Sequence, residues 1–269
     1  MNDVNLANSE SIFPDMGQTR NQIIGQHTRH FDLVKRVLVF FQNSLERLKI
    51  HNRDPQQFIA AGLTLKLLED VRGSLLLIEV GSPSQARSLL RVATEALIIL
   101  AKVVNSEDFF KAYVLTGERE RLKFLNALKS NPLYTEQDLQ KDITHDLVEQ
   151  VRATVEGVGN KNIEQWSKDV NLGVMYDIVY RLFSQDVHTH PRVVERFMVF
   201  RENDEIEAIR TGPWIDDDAS TELVEAAKIL ILAVDAVGSL FEIEIKEEVK
   251  RYWNEIVAIV DQDNKIEEQ

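Results

Sequence analysis

Apolar residues recur at steps of three and four along most of the chain, a spacing that places them on one face of an α-helix. Glycine and proline are scarce, at 11 and 6 of 269 residues, and they fall mainly between the periodic segments. The pattern predicts a mostly α fold, a bundle of about seven or eight helices, over residues 19–50, 54–80, 82–104, 105–130, 135–156, 163–187, 216–245 and 246–260. A short β-hairpin is predicted within residues 196–213, where apolar pairs flank the polar run 202–205.

The starts of several helices carry recognisable signals. Asp54-Pro55 and Ser82-Pro83 each combine an N-cap residue with a proline at the first helical position. Gly81 ends the second helix, and the short join after it predicts that the second and third helices are antiparallel neighbours. Residues 216–218, all aspartate, would complement the dipole of the seventh helix, whose apolar stretch 229–237 predicts a central position.

Composition limits the function classes. We expect one helical domain over residues 19–262, a flexible segment over 1–18 and an acidic tail over 263–269. The absence of cysteine excludes disulfides and thiolate chemistry. No run approaches the roughly 18 apolar residues of a membrane helix and no secretory signal is visible, so a cytoplasmic protein with no membrane partner is expected. A net charge of -13 argues against an extended basic surface for nucleic acid and leaves only a local cleft for RNA.

Two polar stripes interrupt the apolar helices. Arg87, Arg91 and Glu95 follow one another at four-residue steps on the third helix. The sixth helix has the same spacing in Tyr180, Ser184 and His188, with Arg181 beside them. Because four-residue steps keep side chains on one face, the two stripes are expected to meet in the bundle.

Three interpretations of these stripes remain open. They can form a structural network, since charges inside a bundle must be paired. Alternatively, the two arginines can bind an anion such as a phosphate, with a histidine and a serine nearby for acid–base chemistry. The third interpretation is a metal site formed by Asp186, His188 and His190, with Glu95 from a second helix. We nevertheless predict no metal and no cofactor.

The motif Arg87-Ser88-Leu89-Leu90-Arg91-x-x-x-Glu95-Ala96, followed by Ser184-x-x-x-His188, resembles a bacterial family of unknown function. That family is helical and carries an R-S-L-x-R-x-x-x-E-A helix and a later S-x-x-x-H motif. The resemblance covers roughly residues 56–245, and it implies a fold without implying an activity.

A looser similarity concerns Arg181, six intervening residues and His188, which match the R-x(4-6)-H motif of HEPN-type helical proteins. Many of those are metal-independent endoribonucleases of toxin, abortive-infection or phage-defence systems, and they are usually dimeric. The similarity implies that Arg181 holds the scissile phosphate and that His188 acts as acid or base, with Ser184 between them as a further catalytic candidate. HEPN motifs favour a polar residue after the arginine, and this chain has Leu182 there.

The rival hypothesis is a non-enzymatic interaction or regulatory module with a structural Arg-Glu-Ser-His network. The two differ in a geometric expectation. A ribonuclease should expose Arg181 and His188 to a cleft, ideally across a two-fold axis of a homodimer. A structural network should bury both of them behind apolar side chains.

Overall fold

The computed structural model describes residues 16–51, 54–130, 144–157, 159, 162–188, 190–210, 212–215 and 219–267. Within them lie eleven helices and two short strands, which confirms the mostly α prediction. The helices are α1 (Gly17–Gln26), α2 (Thr28–Leu45), α3 (Pro55–Glu79), α4 (Pro83–Asn105), α5 (Glu107–Ser130), α6 (His145–Thr154), α7 (Ile163–Asp169), α8 (173–187), α9 (Pro191–Glu195), α10 (Ser220–Leu240) and α11 (Lys246–Glu267).

Helices α3 and α4 form the longest pair in the fold, and they are antiparallel neighbours as predicted. The Asp54 side chain accepts hydrogen bonds from the backbone N–H of Gln56 and Gln57, so it caps α3. The Gln56 amide donates to Val103 O over 2.6 Å, which places the first turn of α3 beside the last turn of α4. Gly81 supplies the left-handed turn between them, with φ of 70°.

Helix α10 lies at the centre of the apolar core. It is buried almost all round from Leu223 to Val234, which confirms the central position predicted from its sequence. It packs against α2, α3, α4 and α11. A smaller apolar cluster joins α5 to α6 through Leu125, Val148 and Val151.

The predicted hairpin forms from β1 (Met198–Phe200) and β2 (Ile206–Ile209). The strands are antiparallel, with Val199 opposite Ala208 and an irregularity between Val199 and Phe200. All four residues of β2 are exposed. In the described part of the chain, no helix combines the length and apolar character needed to cross a membrane.

The first predicted helix, 19–50, is two helices in the structure. The break falls at His27, and the second helix ends at Leu45. The Thr28 hydroxyl donates to the backbone oxygens of Ile24 and Gly25, and such bonding back to the preceding turn bends helices. Periodicity did not reveal the break because the apolar face continues across it.

The sixth predicted helix, 163–187, is also interrupted. Helix α7 ends at Asp169, and Asn171 takes a left-handed conformation with φ of 60° before α8 begins. Within α8, residues Tyr176–Arg181 form a π-helical turn between the α-helical segments Gly173–Met175 and Leu182–Val187. π turns are uncommon and often lie at functional sites.

Other local predictions have mixed outcomes. Ser82 makes no side-chain capping bond, so the start of α4 does not repeat that of α3. Helix α11 continues to Glu267 beyond the predicted end at 260, and Asp263 lies 3.0 Å from the ring of His30 on α2. The predicted helix start at 135 and the aspartates 216–218 lie outside the described residues. The single-domain boundaries stay a prediction.

Candidate functional site

Arg91 is the centre of contact between the two predicted stripes. Its Nη2 donates to the Tyr180 hydroxyl over 2.7 Å, and its Nε donates to Ser184 Oγ over 3.4 Å. On its own helix it pairs with Glu95 over 3.4 Å. The side chains of Arg91 and Glu95 are 18% and 19% exposed, so the network lies at the edge of the core, in reach of solvent.

Ser184 is held between α4 and its own helix. Its hydroxyl donates to Tyr180 O over 2.5 Å while accepting from Arg91. Ser184 therefore faces Arg91, and both its hydrogen-bonding functions are engaged in joining α8 to α4.

The hydroxyl of Tyr180 stays protonated over a wide pH range. Burial raises its pKa, the charge of Glu95 raises it further, and the neighbouring Arg91 opposes the shift. Burial also raises the pKa of Tyr113 on α5, again with a contribution from Glu95. Glu95 therefore lies close enough to both phenols to disfavour their ionisation.

A series of ring contacts runs from Arg91 to Arg181. The guanidinium of Arg91 lies 4.4 Å from the centre of the Tyr180 ring. Tyr180 stacks with Tyr176 at a centroid distance of 5.0 Å, and the guanidinium of Arg181 lies 5.5 Å from the Tyr176 ring. These contacts tie the half-buried network to the surface of α8.

Arg181 and His188 lie at the surface. The Arg181 side chain is 61% exposed and faces Asp177 and Glu164 over 3.6 and 3.7 Å. A hydrogen bond from Lys168 is the main cause that lowers the pKa of Glu164, so this carboxylate stays charged. His188 is exposed at the end of α8, and its backbone N–H donates to Ser184 O.

Arg87 binds a carboxylate on another helix. Its Nε pairs with Glu222 on α10, a carboxylate whose side chain is 1% exposed. The sequence interpretation missed Glu222. The available signal was a glutamate in the first turn of a helix predicted to be central, since a carboxylate buried there requires a cationic partner.

Asp186 and His190, considered above as metal ligands, have other partners. The Asp186 side chain is 2% exposed and binds Ser84 Oγ over 2.7 Å and Arg196 Nη1 over 3.1 Å. His190 accepts from the backbone N–H of Arg192 at the start of α9. Among the described residues, no three His, Asp or Glu side chains are grouped so as to hold a metal ion.

An open cleft of about 490 Å³ lies beside the network. Seven residues line it: Arg91, Glu95, Asn162, Ile163, Glu164, Tyr176 and Tyr180. Arg91, Glu95 and Tyr180 therefore face solvent as well as one another. The cleft offers guanidinium donors, two carboxylates and phenol rings, which is a set suited to a polar, planar ligand.

The comparison with protein families matches residues 57–206 to a family of unknown function, DUF5677. The match spans more than half of the chain. The chain belongs to the DUF5677 family. No curated protein matches the chain, and no solved structure does.

The DUF5677 segment contains both stripes, the cleft and Arg181 with His188. It ends before α10, so Glu222, the partner of Arg87, lies outside the match. The predicted resemblance to a family of unknown function is thereby confirmed, over a shorter range than residues 56–245.

Proposed function

We propose that this DUF5677 protein is a HEPN-like endoribonuclease that needs no divalent metal and belongs to a toxin or phage-defence system of the bacterial cytoplasm. The observation that supports the proposal is the exposure of both Arg181 and His188, on a helix whose neighbouring positions Val179 and Phe183 are buried. If Arg181 and His188 belonged to a structural network, their side chains should be buried in the core and paired with other polar groups.

The contacts of Arg181 leave it available to a phosphate. Its distances to Asp177 and Glu164 are at the long end for ion pairs, and exposed pairs of this kind contribute less than about 1 kcal/mol. A guanidinium has five N–H donors in a planar fork that matches phosphate oxygens. RNA phosphate can therefore replace the carboxylates at little cost.

The proposed reaction is transfer of the phosphodiester to the neighbouring 2′-hydroxyl. His188 takes the proton of that hydroxyl as its oxygen bonds to phosphorus, and the bond from phosphorus to the 5′ oxygen breaks. The leaving oxygen takes a proton from water, which gives a 2′,3′-cyclic phosphate and a 5′-hydroxyl. Arg181 neutralises the charge that develops on the phosphate oxygens. Ser184 acts as a positioning residue, since it joins α8 to Arg91.

We further propose that two copies associate through the outer face of α8. Val174, Ile178 and Leu182 recur there at four-residue steps and are 70%, 46% and 48% exposed. Paired antiparallel with the two-fold axis at the level of Val179, the two helices would place Asp177 of each copy opposite the partner's Arg181. The surface is thus self-complementary in charge as well as apolar, and it would bring the two Arg181 side chains near the two-fold axis.

A second candidate is a non-enzymatic interaction or regulatory module. The observation that favours it is the number of bonds at Arg91, which joins Tyr180, Ser184 and Glu95. The two candidates are separated by incubating purified protein with RNA in EDTA. If the wild type cleaves RNA and His188→Ala does not, the ribonuclease is supported. If the wild type leaves RNA uncut, the non-enzymatic module is the better candidate.

A further inference from the structure

The walls of the cleft carry a specific arrangement of donors and acceptors. Arg91 and Glu95 are neighbours in it, a guanidinium beside a carboxylate, with 3.4 Å between Nη2 and Oε2. Arg91 also binds Tyr180 and Ser184, which fixes the guanidinium relative to α8. Because both side chains are held, the pair presents one donor edge and one acceptor edge in a constant orientation.

We infer that the cleft is a guanine-binding pocket and that Glu95 is its specificity-determining residue. Guanine presents a carbonyl acceptor, a ring N–H and an amino group side by side on one edge. A carboxylate can accept from the ring N–H and the amino group together, and a guanidinium can donate to the carbonyl. Glu95 and Arg91 supply these two partners next to each other.

The other bases fit this edge less well. Cytosine and adenine offer an amino donor next to an acceptor, so one oxygen of Glu95 would face a lone pair. Uracil offers a single N–H between two carbonyls. Leaving a charged acceptor opposite another acceptor is unfavourable, and that discriminates against these bases.

The size and surroundings of the cleft are suited to a nucleotide. Its volume of about 490 Å³ lies in the usual range for small-molecule sites. Tyr176 and Tyr180, stacked on each other, form an aromatic wall on one side of the cleft. Sequence-specific recognition of single-stranded RNA commonly uses the hydrogen-bonding edge of an unpaired base.

Arg181 lies next to two residues of the cleft, Glu164 and Tyr176. Glu164 lines the cleft and its Oε2 is 3.7 Å from Arg181 Nη2, so Arg181 stands at the rim. A guanosine in the cleft would thus have a phosphate within reach of Arg181. This part of the inference rests on the proposed ribonuclease activity and names its substrate class, RNA with an unpaired guanine.

The test is calorimetric titration of the full-length protein with guanosine, inosine and uridine 5′-monophosphates. Inosine lacks only the amino group, so it should bind about tenfold more weakly than guanosine, the loss expected for one hydrogen bond to a charged group. Uridine monophosphate should not bind measurably. Equal affinities for guanosine and inosine monophosphates would overturn the inference.

Glu95→Gln should remove the preference for guanosine, and Glu149→Gln on α6 is the matched control that should keep it. Glu149 likewise pairs with an arginine on its own helix, Arg152, but lies outside the cleft. Retention of the preference in Glu95→Gln would also overturn the inference. Should this variant fail to fold, the comparison of guanosine with inosine on the wild type decides alone.

Cleavage of single-stranded RNAs with and without one guanine separates this inference from the proposed function. Cleavage that ignores guanine would overturn the guanine pocket and leave the ribonuclease standing. A protein that prefers guanosine monophosphate but cuts no RNA would overturn the ribonuclease and leave the guanine pocket standing. The ligand would then be the free nucleotide.

Discussion

Arg91 and Tyr180 are joined twice, by a 2.7 Å hydrogen bond from Nη2 to the phenol oxygen and by a guanidinium that lies 4.4 Å from the ring centre. The pair links α4 to the π-helical turn of α8. It therefore fixes the helix that carries Arg181 and His188 against the core.

Tyr180→Phe should lower the free energy of unfolding by about 1 kcal/mol, because Arg91 loses a half-buried acceptor while the ring contact remains. Tyr176→Phe is the control, since the Tyr176 hydroxyl has no hydrogen-bond partner among the described residues and should change stability far less. Urea unfolding of both variants measures the difference. Equal midpoints would show that the Arg91–Tyr180 hydrogen bond contributes nothing.

The alkaline limit of stability should depend on Tyr180. Its pKa is raised from the ordinary 10.0, so the folded state disfavours the phenolate. As pH rises above 10.0, the Tyr180 phenol ionises in the unfolded state before it does so in the folded state. The free energy of unfolding therefore falls with pH in this window, until the folded phenol ionises as well. Stability of Tyr180→Phe should fall less steeply in that window. Near-ultraviolet titrations of the wild type and Tyr180→Phe should differ by the signal of one phenolate. That signal should appear above pH 10.0.

Arg87→Met should destabilise the fold by about 3 kcal/mol, because it removes the cation beside a carboxylate that is almost wholly buried. Arg181→Met, an exposed arginine, should cost less than about 1 kcal/mol. Chemical denaturation of the two variants gives the comparison. A cost at Arg87 no greater than that at Arg181 would contradict the buried pair with Glu222.

Ile178→Glu should convert a dimer to a monomer, because it places a charge at the centre of the apolar face of α8. Leu76→Glu is a matched control on α3, where the leucine is also exposed, at 63%. Light scattering coupled to gel filtration should give the mass of two chains for the wild type and the control, and that of one chain for Ile178→Glu. A monomeric wild type would exclude the α8 interface.

Helical periodicity is enough to predict the contact between Arg91 and Ser184. Both residues follow a four-residue spacing on apolar helices, and such helices must bury those faces against each other. The hairpin and the central position of α10 follow from similarly local patterns. These features need no knowledge of how distant parts of the chain are arranged.

Other features depend on tertiary packing. The partner of Arg87 is 135 residues away on α10, and nothing in the spacing of either helix selects Glu222 over Glu95. Asp186 pairs with Ser84 and Arg196 only because α8, α4 and the turn after α9 meet there. The break at Asn171 depends on one left-handed residue, which asparagine adopts only in some contexts.

The central claim is that Arg181 and His188 act on RNA, and cleavage in EDTA tests it most directly. Wild-type protein and the variants His188→Ala, Arg181→Ala and His145→Ala are incubated with single-stranded RNA, with circular dichroism to verify the fold. His145 is an exposed histidine on α6 and serves as the control. We predict that the wild type and His145→Ala cleave, leaving 2′,3′-cyclic phosphate ends, while His188→Ala and Arg181→Ala are at least about a hundredfold slower. Intact RNA with the wild type, or undiminished cleavage by a folded His188→Ala, would contradict the account.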